Sequence, residues 1–123
     1  MTQDVFEITK AASFDAAHRL PGGPAEGAYT RLHGHSFRVE ATLRGQAAPP
    51  VGWVDDLALL DQALKAAAAE LDHSLLNDHP GLESPTLEAL CLFFAGRLKP
   101  GFPALCRIAV SRPTVGESCA LAC

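Results

Sequence analysis

The stretch HGHSFRVEATLRG, from His33 to Gly45, decides the expected fold because apolar and polar residues alternate along it. Between Ser36 and Arg44 every second side chain is apolar, which is typical of a β-strand with one buried face. His33 and His35 lie two residues apart at the start of this strand. Successive strand side chains point to opposite faces of a sheet, so both imidazoles are expected to point the same way.

A third histidine lies in the segment FDAAH, which reads as the end of an earlier strand with Phe14, Ala16 and His18 on one face. If the two strands pair, His18 meets His33 and His35 across them. Three neutral nitrogen donors with one open position are the ligands of a catalytic zinc (Zn²⁺) site. The alternative is a turn with two exposed histidines at HGH. His18 counts against that alternative, because a histidine that faces a core needs a partner.

The rest of the chain predicts two helices followed by two more strands. The first strand is expected at Val5–Ala17. Asp55 or Asp56 is expected to cap the first helix, and Ser84 the second. The segments CRIAVSR and SCALAC read as the last strands. The order ββααββ predicts an α+β fold for a single domain, residues 1–123, in which two helices cover one face of a four-stranded antiparallel sheet.

Composition narrows the possible functions. The chain has 123 residues, a formal net charge of −4 and no run of basic residues, so nucleic acid is not an expected partner. No apolar stretch approaches the length needed to span a membrane, and the N-terminal segment does not resemble an export signal, so a cytoplasmic location is expected. The cysteines lack metal-site spacing and are expected to be reduced thiols: Cys91, Cys106, Cys119 and Cys123.

Three acidic residues and a fourth histidine are weaker candidates for chemistry. Asp72 and His73 are adjacent at the expected end of the first helix. They are either a general acid–base pair in which the carboxylate orients the ring, or a solvated aspartate beside a histidine that complements the helix dipole. Glu88 near the start of the second helix is favoured there by the dipole alone. Glu117 is expected in a turn, where most carboxylates are simply solvated.

The chain resembles the 6-pyruvoyl-tetrahydropterin synthase family, and most of all its bacterial 6-carboxy-tetrahydropterin synthases of queuosine biosynthesis. The resemblance is carried by FDAAHRLP, RLHGHSFRVEATLRG, GWVDDLALL, LDHSLLND and VGESCALAC. It implies a tunnelling fold (T-fold), whose subunits form trimers around a shared barrel and whose trimers stack into a homo-hexamer. It also implies functional residues: zinc on His18, His33 and His35, a proton relay in Asp72 and His73, and pterin contacts from Thr86, Glu88 and Glu117.

Two positions depart from the family pattern. Where the bacterial members have a cysteine, four residues before HGH, this chain has Tyr29. In the family that thiolate takes a proton from the substrate, so Tyr29 or the nearby Glu26 is the candidate replacement. The second departure concerns the glutamate that binds the pterin ring. Ungapped register places Arg112 there, whereas a short insertion places Glu117 there and gives the better local match.

Three functions follow from the resemblance and its departures. The first is a zinc-dependent lyase that acts on 7,8-dihydroneopterin triphosphate or a close relative; with dihydroneopterin triphosphate the products are 6-carboxy-tetrahydropterin, acetaldehyde and triphosphate. The second is a related pterin enzyme with altered chemistry. The third is a zinc- and pterin-binding paralogue without turnover. Tyr29 distinguishes them, because loss of the cysteine weakens the first function and suits the other two.

Overall fold

The computed structural model describes residues 4–21 and 27–123. Within these ranges two helices pack on one five-stranded sheet, an α+β arrangement. The strands and helices, numbered along the chain, are β1 (Phe6–His18), β2 (His33–Gly45), α1 (Leu57–Leu71), β3 (Ser74–Leu75), α2 (Leu87–Leu98), β4 (Leu105–Arg112) and β5 (Glu117–Ala122). None of the described helices has the length and apolar character needed to cross a membrane.

The sheet has the strand order β3-β1-β2-β4-β5, and its four long strands are antiparallel. The predicted count of four strands was wrong by one, because β3 pairs in parallel with β1. The chain leaves α1 through His73, whose φ is 56°, and the His73 amide donates to the Asp15 carbonyl at 2.6 Å. This bond lays Ser74 and Leu75 along β1. A two-residue strand has no periodicity, so the sequence carried no signal for it.

The two helices begin at side-chain caps. The Asp56 carboxylate accepts from the Ala58 amide at 2.8 Å, as one of the two predicted caps. The expected cap of α2 at Ser84 was wrong: Thr86 accepts from the Ala89 amide at 3.1 Å, and α2 therefore begins two residues later than expected. Serine and threonine cap helices almost equally well, so the choice between neighbouring candidates depends on tertiary packing.

The core lies between the helices and one face of the sheet. α1 packs on β1, α2 packs on β4 and β5, and both cover the same apolar side chains. The rings of Phe14 and Phe37, direct partners across β1 and β2, stack with centroids 5.0 Å apart, and Phe94 of α2 closes over them. The opposite face of the sheet is formed by small and polar residues, and neither α1 nor α2 covers it.

We predict that Leu90→Ala on α2 lowers the free energy of unfolding by about 2–5 kcal/mol, because Leu90 is fully buried and its loss leaves a cavity. Leu92, on the same helix, is 64% exposed, and Leu92→Ala is expected to change stability by less than about 0.5 kcal/mol. Urea unfolding of both variants measures the difference. Equal losses would show that α2 is packed differently in solution.

Candidate metal centre

Three histidines meet where β1 ends and β2 begins. His18 and His33 are direct cross-strand partners, and His35 lies two residues further along the same face of β2. Their potential ligand atoms all lie within 4.8 Å of one another. The Nε2 atoms of His18 and His33 are 3.0 Å apart. The structure therefore brings together the three histidines selected from the sequence, in a cluster that could bind a metal ion; we call it the histidine cluster.

The protonation of this cluster suits a cation. His18 is fully buried, and burial, followed by the neighbouring His33, His35 and Arg112, lowers its pKa to about 4; the Pro85 backbone carbonyl acts in the opposite direction. Burial is also the main reason that the pKa of His35 is lowered. At neutral pH both rings are therefore uncharged, which is the form that ligates metals.

Hydrogen bonding fixes the direction of one ligand. The Nδ1 of His33 lies 2.6 Å from the Arg31 carbonyl oxygen, so Nδ1 carries the proton and donates it. This leaves the Nε2 lone pair of His33 facing His18. Nδ1 of His18 is buried, and no described residue makes a hydrogen bond of good geometry to it. Three imidazole nitrogens without a carboxylate are a donor set that fits zinc.

A cavity of about 510 Å³ opens beside the cluster, and we call it the tyrosine pocket. Its lining residues are Tyr29, Arg31, Leu32, His33, His35, Arg112, Val115 and Glu117. Tyr29 is half-exposed, whereas Arg112 is buried. Arg112 and Glu117 are direct partners across β4 and β5, with Nε and Oε1 3.1 Å apart. The two residues left open by the sequence as the ring-binding position thus lie side by side in one pocket.

A second cavity, of about 640 Å³, contains His73, and we call it the His73 pocket. The Asp72 carboxylate contacts Nδ1 of His73 at 2.9 Å and also accepts from the Asp15 amide at 2.9 Å. The amide of Asp15, then His73, lowers the pKa of Asp72, while the bond to Asp72 raises the pKa of His73. Asp72 thereby leaves Nε2 of His73 as the free ring nitrogen, which suits proton transfer.

The two pockets are separate within one subunit. Among their lining residues only His35 is common to both, so Tyr29 and His73 do not open onto the same cavity. Thr86 caps α2 and Glu88 is exposed on its first turn; neither lines either pocket. Glu26 lies outside the described residues.

Sequence reasoning missed two groups that support the site. Asp15 accepts from the Ser36 hydroxyl at 2.5 Å, and its amide holds Asp72. Its charge between Phe14 and Ala16, in the apolar end of β1, was the available signal. The Arg31 carbonyl that orients His33 could not be predicted from the sequence, because every residue has a backbone carbonyl and residue type does not show which one accepts the bond.

Comparison with known proteins agrees with this geometry. A family model described as 6-pyruvoyl tetrahydropterin synthase matches residues 7–122. The chain belongs to the 6-pyruvoyl tetrahydropterin synthase family. It is 41% identical over 104 residues to the 6-carboxy-5,6,7,8-tetrahydropterin synthase of Synechocystis sp., covering 80% of this chain and 79% of that one. The Bacillus subtilis protein of the same name is 36% identical over 74 residues, covering 60% of this chain and 48% of that one.

Solved structures confirm the tunnelling fold. The 6-pyruvoyl tetrahydropterin synthase of Caenorhabditis elegans superposes with a TM-score of 0.81 at 22% identity, covering 98% of this chain and 96% of that one. The Plasmodium vivax enzyme gives a TM-score of 0.72 at 18% identity, covering 97% and 98%. At these identities the likeness concerns the fold alone.

We predict that Asp72→Asn lowers the pKa of His73 toward the value of a free histidine, because it removes the carboxylate that favours the charged ring. Wild-type His73 should stay protonated to higher pH than a free imidazole. Its stabilising interaction with Asp72 should then weaken as the pH rises through the His73 pKa. NMR titration of the His73 ring measures this. Asp78→Asn makes the same charge change nearby and should leave the titration as it is; an unchanged curve in Asp72→Asn would contradict the pairing.

Proposed function

We propose that the protein is a zinc-dependent 6-carboxy-tetrahydropterin synthase that acts on 7,8-dihydroneopterin triphosphate. The observation that supports this most directly is the histidine cluster, whose three converging nitrogen donors lie beside an open pocket in a pterin synthase fold. The relatives from Synechocystis and Bacillus subtilis carry the name of that activity. Incubation with dihydroneopterin triphosphate should give 6-carboxy-tetrahydropterin, acetaldehyde and triphosphate.

In this proposal His18, His33 and His35 hold the metal. Zinc bound there would supply Lewis-acid polarisation of substrate oxygen atoms. The Arg31 carbonyl keeps the proton of His33 on Nδ1, and burial keeps His18 neutral, so both rings are prepared as ligands without a change of protonation near pH 7. His73 takes and returns a proton at Nε2, and Asp72 orients its ring.

Tyr29 takes the place of the cysteine in the proposal and acts as the second proton-transfer group. It lines the same pocket as His33 and His35, which is where such a group is needed. Phenols ionise near pH 10, about 1.5 units above thiols, so at neutral pH a smaller fraction of a phenol than of a thiol is in the deprotonated form that can accept a proton. A structure of the Plasmodium vivax enzyme is of a variant in which a glutamate, described as its catalytic residue, is replaced by alanine. In that protein the catalytic residue is therefore a carboxyl side chain and not a thiol.

For substrate binding we propose Glu117, with Thr86 and Glu88 as further contacts. The pterin ring edge presents N–H donors, which a carboxylate can accept and a guanidinium cannot. Arg112 can therefore not replace Glu117 as the ring-binding group, but it contacts Oε1 of Glu117 and leaves Oε2 free.

We further propose a homo-oligomer, a hexamer of two stacked trimers as the resemblance implies. β5 lies at an edge of the sheet and has no partner strand beyond it among the described residues. The face opposite the helices is also uncovered. Assembly would also allow His73 of one subunit to approach the tyrosine pocket of another, which one subunit alone does not achieve.

A second candidate function, a pterin- and zinc-binding protein with altered or no turnover, is favoured by Tyr29 itself. Enzymes of this mechanism depend on a base matched to neutral pH, and general acid–base groups contribute roughly 10²–10⁴-fold. Product analysis distinguishes the two candidates, since the second binds zinc and pterin without forming the carboxylated product.

We predict that the purified protein contains about one zinc per subunit and that His33→Ala loses most of it, because three ligands are needed to leave a single open position. His79→Ala, which removes a histidine outside the cluster, should retain the metal. Elemental analysis of both variants measures this. Metal-free wild-type protein, or full zinc content in His33→Ala, would refute the site.

We predict that Tyr29→Phe and His73→Ala each lower product formation by roughly 10²-fold or more, whereas Tyr29→Cys raises it above wild type. Rates are compared in variants of equal zinc content and equal melting temperature. If Tyr29→Phe retains the wild-type rate and only His73→Ala abolishes it, His73 alone carries the proton transfer. A rate unaffected by either change would remove both residues from the mechanism.

A further inference from the structure

Arg112 lines the tyrosine pocket and is unusually buried for an arginine. Its side chain is only 10% exposed, whereas arginine is normally exposed unless it is paired. β4, which ends at Arg112, lies between β2 and β5 in the sheet, and Arg112 lines the tyrosine pocket together with His35 and Glu117.

The hydrogen-bonding capacity of Arg112 is largely unused. Its contact with Glu117 joins Nε and Oε1 at 3.1 Å but lacks hydrogen-bond geometry, and no described residue accepts a hydrogen bond from the guanidinium. Glu117 is itself 43% exposed at its side chain, so solvent weakens that pair. The terminal nitrogens are not among the buried atoms without a partner, and Arg112 lines an open pocket, so their N–H groups can donate to solvent or to a ligand. Nε is the buried donor without a hydrogen bond, and leaving such a donor unpaired costs free energy.

The charges around the pocket favour an anion. Its charged lining residues at neutral pH are Arg31 and Arg112 against Glu117, and a metal ion in the histidine cluster would add further positive charge. An anionic group between Arg112 and the cluster would be attracted from both sides.

We infer that Arg112 binds a carboxylate of the ligand and thereby makes the tyrosine pocket selective for carboxylated ligands. A guanidinium presents a planar fork of donors that matches the two oxygens of a carboxylate. The pterin part of the ligand rests on the proposed function, in which the product carries a carboxylate and the substrate does not. Arg112 is thus a specificity-determining residue that favours 6-carboxypterins over pterins with a neutral side chain.

The test compares pterin-6-carboxylate with 6-hydroxymethylpterin by fluorescence titration of the zinc-loaded protein. Wild type should bind the carboxylate at least roughly 10-fold more tightly. Arg112→Gln should weaken carboxylate binding by roughly 10–100-fold and change 6-hydroxymethylpterin binding by less than about 3-fold. Arg107→Gln, which removes the same charge from an exposed residue of β4 outside the pocket lining, should keep the preference. If Arg112→Gln does not fold, Arg112→Lys keeps the charge without the fork and should lose most of the preference.

Other outcomes overturn the inference or separate it from the proposed function. Equal binding of both pterins by wild type overturns it. An equal loss of both in Arg112→Gln would mean that Arg112 only positions Glu117, and this also overturns it. If neither pterin binds, the proposed function fails and benzoate decides: calorimetric binding by wild type but not by Arg112→Gln would support the carboxylate contact, and no binding would reject it. Inorganic phosphate binding more tightly than benzoate would assign the fork to phosphate groups and reject the carboxylate.

Discussion

The pairing of β1 with β2 is the constraint on which the rest of the molecule depends. Its register puts His18 opposite His33 and Phe14 opposite Phe37, so the ring stack of the core and the histidine cluster belong to one ladder. A slip by one residue would turn the facing side chains of one strand to the other side of the sheet. The buried Phe14–Phe37 stack opposes such a slip. The hydrophobic core therefore fixes the geometry of the cluster.

The same ladder connects the histidine cluster to the Asp72–His73 pair. Asp15 lies between Phe14 and Ala16 on β1, and its backbone amide holds the Asp72 carboxylate that contacts His73. His73 in turn donates its own amide to the Asp15 carbonyl. The residues that follow α1 are thus bound to the strand that carries His18. This attachment explains how a histidine at the end of a helix, with an exposed side chain, is nevertheless held at a defined place relative to the sheet.

The features of the fold that depend on local periodicity were predicted correctly from the sequence. The alternation in β2 located the strand, its buried face and the shared direction of His33 and His35, and apolar spacing located both helices. Prediction failed where a long-range neighbour decides. β3 exists because a backbone bond reaches Asp15, and α2 is capped by Thr86 although Ser84 was also a good candidate cap. The partnership of Arg112 with Glu117 needed the β4–β5 register, which no single strand contains. That the two residues are neighbours in space could therefore not be predicted from the sequence, and which of them binds the pterin ring stays a prediction.

The absence of a thiol from the tyrosine pocket has a chemical consequence. All four cysteines of the chain follow residue 90, and burial raises the pKa of Cys91 to about 12, so this thiol is a poor nucleophile. A family member that relies on a thiolate is exposed to peroxide and to alkylating reagents at its catalytic group. A pocket whose proton-transfer side chain is a phenol does not share that weakness. In the proposed function, Tyr29 therefore gives a lower reactivity at neutral pH but a greater resistance to oxidants than a catalytic cysteine.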